Sequence, residues 1–273
     1  MILPWAVGPS ILMYHSIADG SDDPHSVTVD AFREQISWLA EHGFEVVPLS
    51  FLLRSIHSRS YRDLRKKVVL TFDDGYKDFI DNALPILLEY GAPATVFLVT
   101  DLLGGSASWK TSGARLRLMT EDEVRYIKGK GISLGSHTAT HANLPLLGHD
   151  DLQRELTDSH DRLALLGESF YAFSYPWGKW SSQVVDAVEA AGYECAVVVG
   201  EQMRLTAVNA YSLPRITMTY DMDLERFRSL FTRTGVEMEL RRWYRKFSST
   251  RFGAPIIQIY KNRLGRRMPG QTV

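Results

Sequence analysis

VVLTFDDGYKDFIDNALPILLEYGAPATVFLV, residues 68–99, sets the architecture of the chain. Its apolar runs at 68–72 and 94–99 predict strands, and the segment at 76–90 predicts a helix. Pro85 lies inside this helical segment and is expected to kink it. A strand, a helix and a second strand in this order predict two parallel strands joined by a crossover helix.

The same alternation continues over most of the 273 residues. Further apolar strands are predicted at 11–17, 44–49, 132–135, 171–175 and around Cys195. About seven alternations favour a distorted (β/α) barrel of about seven strands over an open doubly wound sheet, and the chain carries no glycine-rich phosphate-binding motif. We expect this barrel domain to span residues 1–225, with the functional side chains at the carboxyl ends of its strands.

Residues 226–273 differ from the barrel in charge. They contain twelve Lys or Arg against two Glu, although the net charge of the whole chain is -1. We predict a basic, helical C-terminal extension whose partner is an anionic membrane surface or a charged glycan, or else the chain's own acidic body or a partner subunit. The extension has few aromatic residues and no recognisable motif, so no nucleic-acid partner is expected.

Composition and cysteine content bear on the class of protein and its compartment. With 45% hydrophobic and 23% charged residues, the chain resembles a globular protein with one sizeable core. The single Cys195, in an apolar run, is predicted to be a packed thiol. No signal peptide or membrane-spanning run is predicted, so we expect a cytoplasmic or peripheral-membrane protein, or a cell-envelope protein whose signal has been trimmed.

Two adjacent carboxylates, Asp73 and Asp74, directly follow the strand at 68–72, and Gly75 follows them. Neighbouring side chains on a strand point to opposite sides, but a chain that turns at the strand end can present both acids to one pocket. The alternative is structural, with Asp73 capping the next helix and Gly75 supplying the bend. The pair alone does not decide between these interpretations.

His137 and His141 stand where another predicted strand ends, in the segment HTATH. Their spacing places both imidazoles on one face if the segment forms a helical turn. Two neutral imidazoles and one carboxylate form a catalytic zinc site that leaves a position for water and substrate. Histidines four apart also occur on surfaces by chance. Together with Asp73 and Asp74 at the same edge of one barrel, however, they indicate metal-dependent hydrolysis.

With TFDDG around Asp73 and HTATH from His137, residues 10–220 resemble the polysaccharide deacetylase family, carbohydrate esterase family 4 with its NodB homology domain. The resemblance implies that Asp73 is the catalytic base. It also implies that Asp74, His137 and His141 bind one divalent metal ion, Zn²⁺ or else Co²⁺ or Ni²⁺. The implied reaction removes acetyl groups from N-acetylglucosamine units of an N-acetylated glycan.

The third motif of the family is altered in this chain. It is FSYPWG at 173–178, where Ser174 replaces the arginine that braces the catalytic aspartate in the family. By the family analogy, the backbone N–H of Trp177 would complete an oxyanion hole. Arg215 is predicted to brace Asp73 in place of the missing arginine, and a salt bridge elsewhere is the alternative.

The catalytic histidine of the family's last motif is also missing, because LPRIT at 213–217 contains none. His15, in MYHSI, ends the first predicted strand and should face the same mouth of the barrel. This segment is similar to the exopolysaccharide poly-N-acetylglucosamine deacetylase branch, in which an amino-terminal histidine substitutes for the missing one. We therefore predict His15 as the acid, with Trp177 and Trp109 as candidates for stacking on sugar rings.

The exact substrate stays open at this point. A polysaccharide or lipid-linked glycan is favoured, and the alternatives are deacetylation or deformylation of a small or lipid-linked amino sugar. A carbohydrate-binding pseudoenzyme is the alternative from another class, suggested by the altered third motif and the missing late histidine.

Overall fold

The computed structural model describes residues 9–109, 116–201, 203 and 208–232. Within these residues the strands are β1 (Ser10–Tyr14), β2 (Ser16–Ile17), β3 (Ser26–Val27), β4 (Glu45–Val46), β5 (Lys67–Phe72), β6 (Thr95–Leu98), β7 (Ser133–Ser136), β8 (Ala172–Ser174), β9 (Cys195–Val199) and β10 (Leu213–Thr217). The α-helices are α1 (Val29–Glu41), α2 (Leu49–His57), α3 (Leu84–Glu89), α4 (Glu121–Gly129), α5 (His149–Leu165), α6 (Ser182–Ala190) and α7 (Leu224–Thr232).

Seven parallel strands close into a barrel in the order β1, β10, β9, β8, β7, β6, β5 and back to β1. Closure comes from β1, which pairs with β10 through Leu12 and Ile216 and with β5 through Ile11 and Val69. The short β4 pairs with the beginning of β5. The predicted (β/α) barrel of about seven strands is therefore confirmed.

Helix α2 lies against the amino ends of the barrel strands. Leu52 and Leu53 of this helix belong to one buried cluster with Ile11, Cys195 and Leu213, which stand at or near the starts of β1, β9 and β10. Cys195 is a buried free thiol, as predicted, and burial raises its pKa. Because this end is filled with apolar side chains, a polar site is expected at the carboxyl ends of the strands.

Local sequence signals explain where the helices begin. The Thr28 side chain accepts a hydrogen bond from the Ala31 N–H at the start of α1. At α4, Thr120 and Glu123 form the reciprocal hydrogen bonds of a capping box. These caps satisfy backbone donors that have no partner inside the helix.

The helix predicted over 76–90 is shorter and has a different first turn. A π-helical segment spans Phe79–Ala83, in which the Leu84 N–H bonds to the Phe79 carbonyl, and α3 follows. Pro85 occupies the first turn of α3. Since proline has no N–H and its ring crowds the carbonyl four residues earlier, regular α-helical bonding cannot pass through this position.

The compact unit that contains the barrel spans Gly8–Phe227. The basic extension predicted over 226–273 lies outside the described residues except for the last turns of α7. Among the residues that the structure describes, no helix is both long and apolar enough to cross a bilayer.

Candidate active site and metal centre

Asp73 and Asp74 leave the end of β5 in a tight turn. The Asp73 N–H still donates to the Tyr14 carbonyl at 2.9 Å, and the next two residues have positive φ, +72° at both Asp74 and Gly75. A Cβ at Gly75 would lie 2.9 Å from the Leu98 side chain, so glycine is needed for space as well as conformation. The turn places both carboxylates in the buried barrel mouth rather than at a helix cap.

The segment from His137 to His141 does not form the helical turn expected from the sequence. Thr138 has φ +69° and His141 has φ +65°, values that exclude an α-helical turn. The Thr138 carbonyl accepts from the Thr100 N–H, and the His141 N–H donates to the Thr138 hydroxyl at 2.9 Å. Both imidazoles nevertheless converge, with ring centroids 4.9 Å apart.

Asp74, His137 and His141 form one buried cluster of potential ligands. The Asp74 Oδ1 lies 3.5 Å from His137 Nε2 and 3.4 Å from His141 Nε2. Ligands about 2.0–2.1 Å from a tetrahedral zinc ion are separated by about 3.3 Å. The donor set and its spacing therefore fit a divalent ion such as Zn²⁺, which would keep a coordination position for water or substrate.

The protonation states of the cluster suit metal binding. Burial is the main cause that lowers the pKa of His137 to about 4, so its imidazole is neutral at neutral pH. Burial acts to raise the pKa of Asp74, but the close approach of His141 and the charges of His15 and His137 hold it far below its usual range. Metal ligands must be deprotonated, and both of these groups are.

The two histidine rings are oriented by different contacts. His137 Nδ1 donates to the Ser174 carbonyl at 2.7 Å, which fixes its tautomer and turns the Nε2 lone pair toward Asp74. His141 instead packs between two indoles. The Trp109 ring stacks on it at 4.1 Å, and the edge-on Trp177 ring lies 4.8 Å away.

Asp73 is held by a bidentate ion pair with Arg215. The Arg215 Nη1 and Nη2 atoms lie 2.6 Å from the two Asp73 carboxylate oxygens, and only 1% and 3% of the two side chains are exposed. The Ser174 hydroxyl accepts from Arg215 at 2.8 Å and donates to Asp73 at 3.2 Å. The Phe97 ring lies 5.4 Å from the guanidinium carbon.

This arrangement sets the charge of Asp73. Burial alone would raise the pKa of the Asp73 carboxyl, but the charge of Arg215, the charge of His137 and the Arg215 hydrogen bonds hold it below its usual value. The carboxylate is therefore ionised at neutral pH and able to accept a proton.

His15 and Trp177 stand at the same mouth. His15 follows β1, and burial lowers its pKa while the charges of Asp74 and Asp73 act to raise it. Trp177 follows β8 with φ +62°, and its indole N–H donates to the His141 carbonyl at 3.3 Å. About half of the Trp177 side chain is exposed, at 51%.

Comparison with known proteins matches this geometry to one family. The sequence pattern described as polysaccharide deacetylase fits residues 60–196. The chain belongs to the polysaccharide deacetylase family. The carboxylate pair and the two histidines lie within the matched residues, at the carboxyl ends of β5 and β7, between which β6 stands in the barrel.

Two curated proteins are similar to this family member over most of its length. YxkH of Bacillus subtilis is 28% identical over 216 residues, 78% of this chain and 72% of that protein. The poly-beta-1,6-N-acetyl-D-glucosamine N-deacetylase of Staphylococcus epidermidis is 24% identical over 221 residues, 76% of this chain and 73% of that protein.

Among solved structures, the Streptococcus pyogenes deacetylase PplD in complex with acetate is similar in fold and sequence. It aligns with a TM-score of 0.73 and 26% identity, covering 83% of this chain and 99% of that one. The deacetylase homologues identify the chain as a carbohydrate deacetylase of the hydrolase class.

Two residues at this mouth of the barrel, Tyr76 and His25, are not predicted from the sequence. Tyr76 is buried and packs with Ala107 and Leu118, and burial together with the charge of Asp74 raises its pKa. Its signal was its place directly after the TFDDG motif, but it was assigned to the start of a helix. His25, which lies against His15, gave no signal because the strand pairing that brings it there is not visible in the sequence.

Proposed function

We propose that this chain is a metal-dependent N-deacetylase that hydrolyses acetyl groups from amino-sugar residues of a polysaccharide or lipid-linked glycan. The observation that supports this most is the buried set of Asp74, His137 and His141, which lies beside a carboxylate that is not part of it. That carboxylate, Asp73, is kept ionised by Arg215. Hydrolysis of an unactivated amide requires a set of metal ligands beside a base that is not itself a ligand.

A divalent ion held by these three ligands would lower the pKa of a coordinated water toward about 7 and polarise the acetyl carbonyl. Asp73 accepts the proton of the attacking water. Arg215 keeps the Asp73 carboxylate charged and fixed, because two parallel hydrogen bonds allow it little freedom. Arg215 is thus a positioning residue that acts through Asp73.

Collapse of the tetrahedral species breaks the carbon–nitrogen bond and releases acetate. His15 gives a proton to the departing sugar nitrogen, which then leaves as a free amine. Burial lowers the pKa of His15 overall, and the charges of Asp74 and Asp73 offset part of this lowering. The Trp177 backbone N–H is assigned to the oxyanion, and its left-handed conformation sets the direction of this peptide group.

The name of the Staphylococcus epidermidis relative supports a β-1,6-linked N-acetylglucosamine polymer as the first substrate to test. The basic residues of 226–273 would bring the enzyme to an anionic surface, such as a membrane that carries a lipid-linked glycan. We propose a cytoplasmic or peripheral-membrane location, with the cell envelope as the alternative.

Acetate release from N-acetylated glycans tests the proposed function. The full chain should release acetate from β-1,6-linked N-acetylglucosamine oligomers faster than from chitooligosaccharides. A chelator should abolish the release, and added Zn²⁺ should restore it. Tight binding of Zn²⁺ and of oligomers without acetate release from any glycan would instead indicate a carbohydrate-binding protein.

A further inference from the structure

His25 lies directly against His15 at the mouth of the barrel. The two imidazole rings are stacked, with centroids 4.8 Å apart and planes that differ by 27°. His15 is partly buried, whereas His25 is exposed. A solvent-exposed ring therefore covers one face of the ring that we assign as the proton donor.

The backbone explains how the two rings meet. Strands β2 and β3 form a separate parallel pair in which Ser16 stands opposite Ser26, and their hydroxyl oxygens are 3.3 Å apart. His15 and His25 each immediately precede one of these serines, so the pairing brings them side by side. The Ser16 hydroxyl also donates to Asp78 at 2.5 Å, which fixes this small sheet to the start of the π-helical segment.

The His15 ring lacks the usual means of orientation. A catalytic imidazole is ordinarily held by a hydrogen bond from its second nitrogen, as His137 is held by the Ser174 carbonyl. The buried Nδ1 of His15 has no hydrogen-bond partner among residues 9–109, 116–201, 203 and 208–232. Because the last torsion of a histidine side chain is broad, the plane of this ring must be fixed by its packing neighbours.

We propose that His25 is a positioning residue: its imidazole, stacked on His15, holds that ring in the plane from which it gives a proton to the departing sugar amine. The inference rests on the proposed deacetylase function. It requires the flat ring of His25, and it requires none of the hydrogen-bonding capacity of that ring.

Two substrates with different leaving groups separate this role from a general structural one. The amide of an N-acetylglucosamine oligomer needs a proton on its departing nitrogen, whereas para-nitrophenyl acetate releases a stable phenolate without one. His25→Ala should lower the ratio of amide to ester turnover about tenfold, in kcat rather than KM, since a small misplacement of a catalytic group is costly. His25→Phe keeps a flat ring and should recover most of the loss.

Two comparison variants complete the experiment. His15→Gln should show the same amide-selective loss, and a larger one. His57→Ala, an exposed histidine in the last turn of α2 near the opposite end of the barrel, should match the wild type.

Equal losses on amide and ester in His25→Ala would overturn the proposal, as would a His25→Phe variant as impaired as His25→Ala. So would wild-type turnover of both substrates by His25→Ala. Wild-type protein that releases no acetate from any glycan would instead refute the proposed function itself, and this inference with it.

Discussion

Replacing Asp73 with asparagine is expected to lower kcat for amide hydrolysis about a thousandfold, within the range that a general base contributes. The asparagine side chain has nearly the same shape, but its amide cannot accept a proton from water. Asp74, His137 and His141 are untouched, so the variant should bind as much Zn²⁺ as the wild type. Turnover and metal content, measured on the same preparation, check this expectation.

Asp81→Asn is the matched control for this variant. Asp81 lies on the π-helical segment and is exposed, unlike the buried ligands, and it pairs with Lys77. It should keep wild-type turnover. If Asp73→Asn retained more than about a tenth of the wild-type kcat, Asp73 would not be the base, because the loss would fall below what general base catalysis supplies.

Replacing Arg215 with methionine is expected to lower the free energy of unfolding by about 3–5 kcal/mol, since it leaves the buried Asp73 charge without its partner. The double variant Asp73→Asn, Arg215→Met removes both charges and should recover part of this loss. Denaturant unfolding of the single and double variants gives the coupling. Arg154→Met breaks an exposed ion pair with Asp151 and should leave stability almost unchanged.

The Arg215 effect should also depend on pH. The pKa of Asp73 is held below its usual value of 3.8, so the pair contributes its full stability above that pH. The contribution is lost as pH falls through the lower pKa of the folded state. The stability difference between wild type and Arg215→Met should therefore be largest at neutral pH and shrink in acid. Without Arg215, the effect of burial on the pKa of Asp73 dominates and raises that pKa. The acid limb of the activity profile should therefore move to higher pH. A limb that stays in place in an active variant would contradict the role of Arg215.

The barrel was predictable because its strands are short apolar runs that stand between clear helical segments. The proximity of the carboxylate pair to the two histidines was also predictable, because both follow strands and the carboxyl ends of parallel strands share one edge of the barrel. The local path of 137–141 was not. It depends on hydrogen bonds such as that from the Thr100 N–H to the Thr138 carbonyl, which the sequence does not reveal.

Long-range partners mark the limit of the sequence reasoning. Arg215 is predicted to brace Asp73, but the sequence does not reveal the bidentate contact. Arg215 lies 142 residues after Asp73, and the two meet because β10 pairs with β1 when the barrel closes. His25 was missed because two-residue strands such as β3 have no periodicity to detect. Helix α2 was missed for a different reason, since its apolar residues follow an apolar segment that predicts a strand.

The central claim is that Asp74, His137 and His141 together hold one divalent ion beside an independent base. Titration of the metal-free chain with Zn²⁺ tests this most directly. We expect one ion per wild-type chain and per Asp73→Asn chain, and loss of tight binding in Asp74→Asn and in His141→Ala. Wild-type protein that binds no ion, or an Asp74→Asn variant that binds it as tightly as the wild type, would contradict the account.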